Sequence, residues 1–79
     1  MEGLEMICFK IIAGVGAARS CFIEAMQIAR KGDYEKAEQL IQDGEKEFVN
    51  AHQAHAELIT NEANGNKTDV TLLLLHAED

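Results

Sequence analysis

The chain has 79 residues, 47% of them hydrophobic, with no Trp and no Pro, and its 14 acidic against seven basic side chains give a formal charge of -7. A chain this short makes one domain with a thin core, because it buries only ~60% of the surface it exposes when unfolded. The acidic balance and the lack of any Lys/Arg cluster exclude a nonspecific binder of nucleic acid or anionic lipid.

Abundant Ala, Leu, Ile, Glu and Lys favour helix over strand, and the apolar positions carry a helical period from the start. From Leu4 to Ala29, Leu4, Ile11, Ala18 and Ala25 form one row, and Cys8, Val15, Phe22 and Ala29 the next. Ile7, Gly14, Cys21 and Ile28 widen the stripe into that of a long bundle helix. Nothing in the chain approaches the ~20 consecutive apolar residues of a membrane span, and Glu2, Glu5 and Lys10 spoil a signal-peptide reading of the start.

Gly14 and Gly16 interrupt the stripe in GVGAARS, and each costs a helix roughly 1 kcal/mol relative to Ala. Close approach by another backbone accounts for that cost. A phosphate-cradling loop does not, since GxG here lacks a preceding strand, a third spaced glycine and a Walker lysine. Cys8 and Cys21 lie thirteen residues apart in the same helical pattern, roughly 20 Å along a straight helix, too far for an intrachain disulfide. Neither has the basic neighbourhood of an activated thiolate, so both read as small buried hydrophobes in a reducing compartment.

Lys31-Gly32-Asp33 is a helix boundary. Gly32 suits the left-handed position after a helix, Arg30 and Lys31 suit the negative end of its dipole, and Asp33 can cap the next helix. So short a connection makes the flanking helices antiparallel neighbours. The second helical pattern runs from Tyr34 to about Ala63 through Ala37, Leu40, Ile41, Gly44, Phe48, Ala51, His52, His55, Leu58 and Ile59. Asn64 to Lys67 is a turn signal, and Thr68 or Asp69 can cap a third helix that begins near Val70. That helix ends after under three turns with Glu78 and Asp79 at the negative end of its dipole, which predicts a natural chain that continues past Asp79.

The chemistry gathers at LLLLHAED. On a helix His76 and Asp79 are three apart and share a face with Leu72 and Leu73 one turn earlier, which predicts a ring walled by leucine on one side with a carboxylate in reach on the other. Burial would favour the neutral imidazole and the carboxylate the cation, and the sequence leaves the winner open. A neutral ring can act as nucleophile, base or metal ligand; a satisfied interface histidine is the plainer alternative. His52, His55 and His76 together form a candidate metal set, although HExxH and the Glu-x-x-His of di-iron bundles are both missing. A non-catalytic helical adaptor is a further alternative.

GAARS (Gly16 to Ser20), GDYEKAEQLI (Gly32 to Ile41), Ala51-His52, Leu58-Ile59, Glu62-Ala63 and VTLLLLHAED (Val70 to Asp79) resemble, in order and over nearly the whole chain, the lactose/cellobiose (diacetylchitobiose) IIA components of the bacterial phosphoenolpyruvate-dependent sugar phosphotransferase system. The resemblance implies an all-α fold, one helical domain over residues 1–79 built as a three-helix antiparallel bundle whose third helix is truncated here, assembling as a homotrimer. It implies a cytoplasmic phosphotransferase component in which His76 accepts a phosphoryl group from the histidine phosphocarrier protein and passes it to a cysteine of the IIB component. The membrane IIC component is then an indirect partner, with no insertion of this chain into the membrane and no nucleic acid. Asp79 matches an aspartate that faces the trimer axis and can share Mg²⁺ or another hard divalent cation there. Glu78 stands where the family frequently has Gln, and His55 where it often has Gln. Sugar contact belongs to the membrane component, so no residue here need record which disaccharide is carried.

Overall fold

The computed structural model describes residues 3–79; Glu2, used above against a signal peptide, lies outside them. Three helices follow in chain order: α1 (Gly3–Arg30), α2 (Tyr34–Ala63) and α3 (Leu72–Glu78). The first boundary is built as its residues demand. Gly32 takes a φ of 88°, and the Asp33 side chain accepts a hydrogen bond from the Lys36 backbone N–H at 3.2 Å, satisfying one of the donors a helix start leaves open. Gly65 repeats the positive φ at 89° after α2.

The expected third helix is shorter than the sequence pattern indicates. It begins at Leu72, and its cap is Thr71 rather than Thr68 or Asp69, with the Thr71 hydroxyl accepting from Leu74 N–H at 3.1 Å. A hydroxyl directly before the leucine run competes best for the orphan amides, so residues 66–71 stay non-helical.

α1 and α2 pack antiparallel. Ile7 and Ile11 lie against Ala54 and Leu58, Gly14 against Ala51 and Glu47, and Phe22 against Gly44, so positions on one helix rise as those on the other fall. The buried set is mostly small: Cys8, Ala18, Ala25, Ala37, Ala51 and Ala54 beside Ile7, Ile11 and Leu74. Small side chains let the helix axes approach. A Cβ added at Gly14 would stand 2.9 Å from Ala51 Cβ and 3.2 Å from Glu47 O, and one at Gly44 would strike the Phe22 ring at 2.6 Å. Gly16 differs from expectation, with open space around its Cα.

Each long helix keeps a second apolar stripe uncovered. On α2, Ile41, Phe48 and Ile59 are exposed because Ala37, Gly44, Ala51 and Ala54 take the face toward α1. On α1, Phe9, Ile12, Val15, Ile23 and Met26 are exposed. Against expectation, α1 is long and apolar enough by length and composition to cross a membrane, since Lys10 and Arg19 are isolated cations in an otherwise apolar run. Only 28% of its most apolar window is buried; packing with α2 leaves most of its greasy surface free.

Cys8 is completely buried, and both cysteines are free thiols. Burial, then the nearby Glu78 carboxylate, pushes the Cys8 thiol above its usual 9.0. The folded chain therefore keeps that proton to a higher pH than the unfolded chain does. Its contribution is intact below about pH 9.0 and is lost as the pH rises above that toward the folded value. Denaturation midpoints should fall on the alkaline side, and a Cys8→Ala chain should fall less over the same range; equal slopes for the two chains would reject the assignment.

Candidate functional site

α3 presents two faces. Leu74 is buried, and Ala77 packs on the cluster of Ile7, Ile11 and Ala54, so this side grips the helical pair. The other side carries His76, which is exposed, with Leu72, Leu73 and Leu75 exposed around it; Leu72 keeps 83% of its surface open. The leucine wall expected behind the His76 ring is therefore absent within one chain. Helical phase explains the difference: the grip needs Leu74 and Ala77, and at 100° per residue that turns Leu72, Leu73 and His76 outward.

The two expected site residues part company. Asp79 caps α3, its backbone N–H donating to Leu75 O at 3.1 Å, and its side chain makes no ion pair with His76 among the described residues. Asp79 instead lines an open groove of about 360 Å³ with Ile11, Val15, Phe48, His52, His55, Ala77 and Glu78. The groove continues the uncovered stripe of α2 at Phe48 and ends in two acids and two imidazoles.

Within the groove the His52 and His55 rings lie 6.1 Å apart, tilted by 37°. His76 does not join them in lining it, and no group of three or more His, Cys, Asp or Glu placed to hold a metal occurs among the described residues. The three-histidine metal set is not assembled. A single chain offers a divalent cation only the Asp79 carboxylate, a hard oxygen donor but far short of the six or more oxygens such an ion takes; one chain alone does not fit it.

Sequence reasoning missed the contact between His55 and Glu78. Nδ1 of His55 on α2 lies 2.5 Å from Oε2 of Glu78 on α3. Each residue stood out separately as a departure from the family pattern. Their adjacency is a matter of how α3 returns across the pair, which no spacing along the chain encodes.

The family model described as "PTS system, Lactose/Cellobiose specific IIA subunit" matches residues 6–79. A lichenan-specific phosphotransferase enzyme IIA component of Bacillus subtilis (strain 168) is 46% identical over 78 residues, which span 99% of this chain and 71% of that protein. A lactose-specific EIIA component of Staphylococcus aureus (strain N315) is 36% identical over 78 residues, 99% of this chain and 76% of its own length. Among solved structures, the crystal structure of the cellobiose-specific enzyme IIA from Bacillus anthracis superposes with a TM-score of 0.93 at 38% identity, covering 100% of this chain and 72% of that one.

Proposed function

We propose, for a chain that belongs to the lactose/cellobiose-specific IIA family of the phosphotransferase system, that it carries phosphoryl groups on His76 during uptake of a disaccharide. The observation that carries this reading is the outward His76 ring in a collar of exposed Leu72, Leu73 and Leu75. A flat apolar collar lets two protein surfaces meet and expel water around a single nucleophile. The donor is the histidine phosphocarrier protein and the acceptor a cysteine of the IIB component, with the IIC component downstream in the membrane and the whole exchange on its cytoplasmic side.

The transfer runs in two displacements. An unprotonated ring nitrogen of His76 directs its lone pair at phosphorus, forming a P–N bond as the P–N bond to the donor histidine breaks. The donor ring leaves with that electron pair. In the second step a thiolate of the acceptor attacks phosphorus, a P–S bond forms, and the His76 P–N bond breaks, restoring the ring. Little is needed beyond in-line placement and relief of charge on the oxygens. The charge is the harder demand, because a phosphoryl group adds about -1.5 to -2 to a chain already at -7. Exposure of His76 answers part of it, since water can reach the oxygens between partners.

The single domain assembles as a homotrimer in this reading. Its support is the uncovered apolar surface: Ile41, Phe48 and Ile59 on α2, and Phe9, Ile12 and Val15 on α1, more than a lone subunit of this size should leave in water. Three copies of Asp79 meeting on an axis would repel one another, and Mg²⁺ or another hard divalent cation shared by them would remove that repulsion. Asp79→Leu should then give a trimer as stable as the parent or more so, and indifferent to chelator in thermal unfolding. A variant trimer still destabilised by chelator as the parent is would reject the shared site.

The test of the carrier role is intact mass after incubation with phosphoenolpyruvate, enzyme I and the histidine phosphocarrier protein. One acid-labile phosphoryl group per chain is expected, and none if the chain is an adaptor.

A further inference from the structure

We infer that His55 and Glu78 are a positioning pair, fixing the azimuth of α3 and so the direction in which His76 meets its partners; the inference rests on His76 being the phosphorylated residue.

α3 needs such a device. It has seven residues, far below the ~12–15 at which an isolated helix becomes even marginal in water, and it is joined to α2 through the non-helical residues 66–71. Its backbone runs close to α1 but not to α2. Leu74 is its one buried side chain, and one apolar anchor fixes position better than rotation.

The second hold is polar and reaches the other helix. Glu78 follows Leu74 by four residues, so both lie on the inward face, and its carboxylate meets His55 Nδ1 at 2.5 Å. That contact is close but not aligned as a hydrogen bond, and Nδ1 is buried with no other partner. A buried ring nitrogen left unpaired is costly, so the pairing with Glu78 is the arrangement in which His55 is satisfied. The neighbouring ionisable groups are Cys8 on α1, whose thiol feels the Glu78 charge, His52 on α2, Glu62 beside His55 and Glu78 in a second groove, and Asp79. His55 is the group in contact with the carboxylate.

Rotation is what the pair controls. His76 precedes Glu78 by two residues, about 200° around the helix, so holding Glu78 inward points His76 almost directly outward. Released, α3 can roll about Leu74 and spread the ring over a range of directions. Phosphoryl transfer is sensitive to such spreading, since a misplacement of ~1 Å can cost ~10²-fold in rate. Stability is much less sensitive, because the His55 and Glu78 side chains keep 38% and 32% of their surfaces open and exposed pairs contribute little.

The experiment is single-turnover phosphoryl transfer from the phosphorylated histidine phosphocarrier protein to the full chain, with helicity and Tm recorded for each variant. His55→Ala and Glu78→Ala should each slow transfer by about tenfold or more, the double variant should be no slower than either single one, and Tm should hardly move. Joint replacement by His55→Gln and Glu78→Gln, which restores a donor and an acceptor without charge, should recover most of the rate. Transfer at the parental rate in either alanine variant overturns the inference, as does a double variant that loses the product of the two single losses. If an alanine variant loses helicity, the glutamine pair decides alone: a folded pair that remains slow overturns the inference, and a fast one supports it. A parental chain that accepts no phosphate fails the functional reading itself, an outcome separate from all of these.

Discussion

His76→Ala is expected to leave the chain fully helical and unable to accept a phosphoryl group, while His52→Ala continues to accept one. The difference should be complete rather than graded, because covalent transfer has no path without the attacking nitrogen. The fold should be indifferent, since His76 is exposed and has no ion-pair partner among the described residues, and alanine is the better helix former. Intact mass and circular dichroism on the same samples separate the two effects. Phosphate retained by His76→Ala would move the nucleophile elsewhere, with His52 and His55 the next residues to test.

Gly14→Leu is expected to have the largest effect on stability. Leucine should gain roughly 1 kcal/mol over glycine in helix propensity, but its Cβ alone would stand 2.9 Å from Ala51 Cβ and 3.2 Å from the Glu47 carbonyl. Backbone cannot rotate away as a flexible side chain can, so α1 and α2 must separate along their middle. Overpacking of this kind costs ~1–3 kcal/mol for a few methylenes and more when backbone must move. At ~4–8 °C per kcal/mol for a domain of this size, the loss in Tm should exceed about 10 °C. Gly16→Ala is the internal control: two residues away, with open space at its Cβ, it should gain ~0.5–1 kcal/mol and raise Tm by a few degrees. A Gly14→Leu chain as stable as its parent would show that the helices part without cost.

The fold was largely legible in the residues. Periodicity placed α1 and α2 to within a residue of their observed ends, and Gly32 and Asp33 marked the turn because positive φ and side-chain capping are local demands. Local signals did less well at α3. Threonine occurs at both 68 and 71, and only the one adjoining the leucine run meets an open amide. The facing of LLLLHAED was harder still, since four consecutive leucines point around the whole helix and composition cannot say which of them wins the core. Leu74 does, and that choice turns His76 outward and Asp79 into the groove. The same limit explains the glycines: Gly14 and Gly16 look alike in GVGAARS, yet a helix turns 200° between them, so only Gly14 meets α2.

The unequal connections have a consequence for how order is distributed. Lys31 to Asp33 ties α1 tightly to α2, whereas residues 66–71 leave α3 on a looser tether, held by few side chains. Opening of the long helical pair and release of the short helix are then separate equilibria, and the second demands far less free energy. Amide exchange should divide accordingly, slow through the middle of the pair and fast from Leu74 onward. The reactive ring rides on the fast unit, so the fraction of molecules competent at any instant is set by a local docking constant rather than by global stability. Substitutions can thus silence this chain while its melting curve stays unchanged.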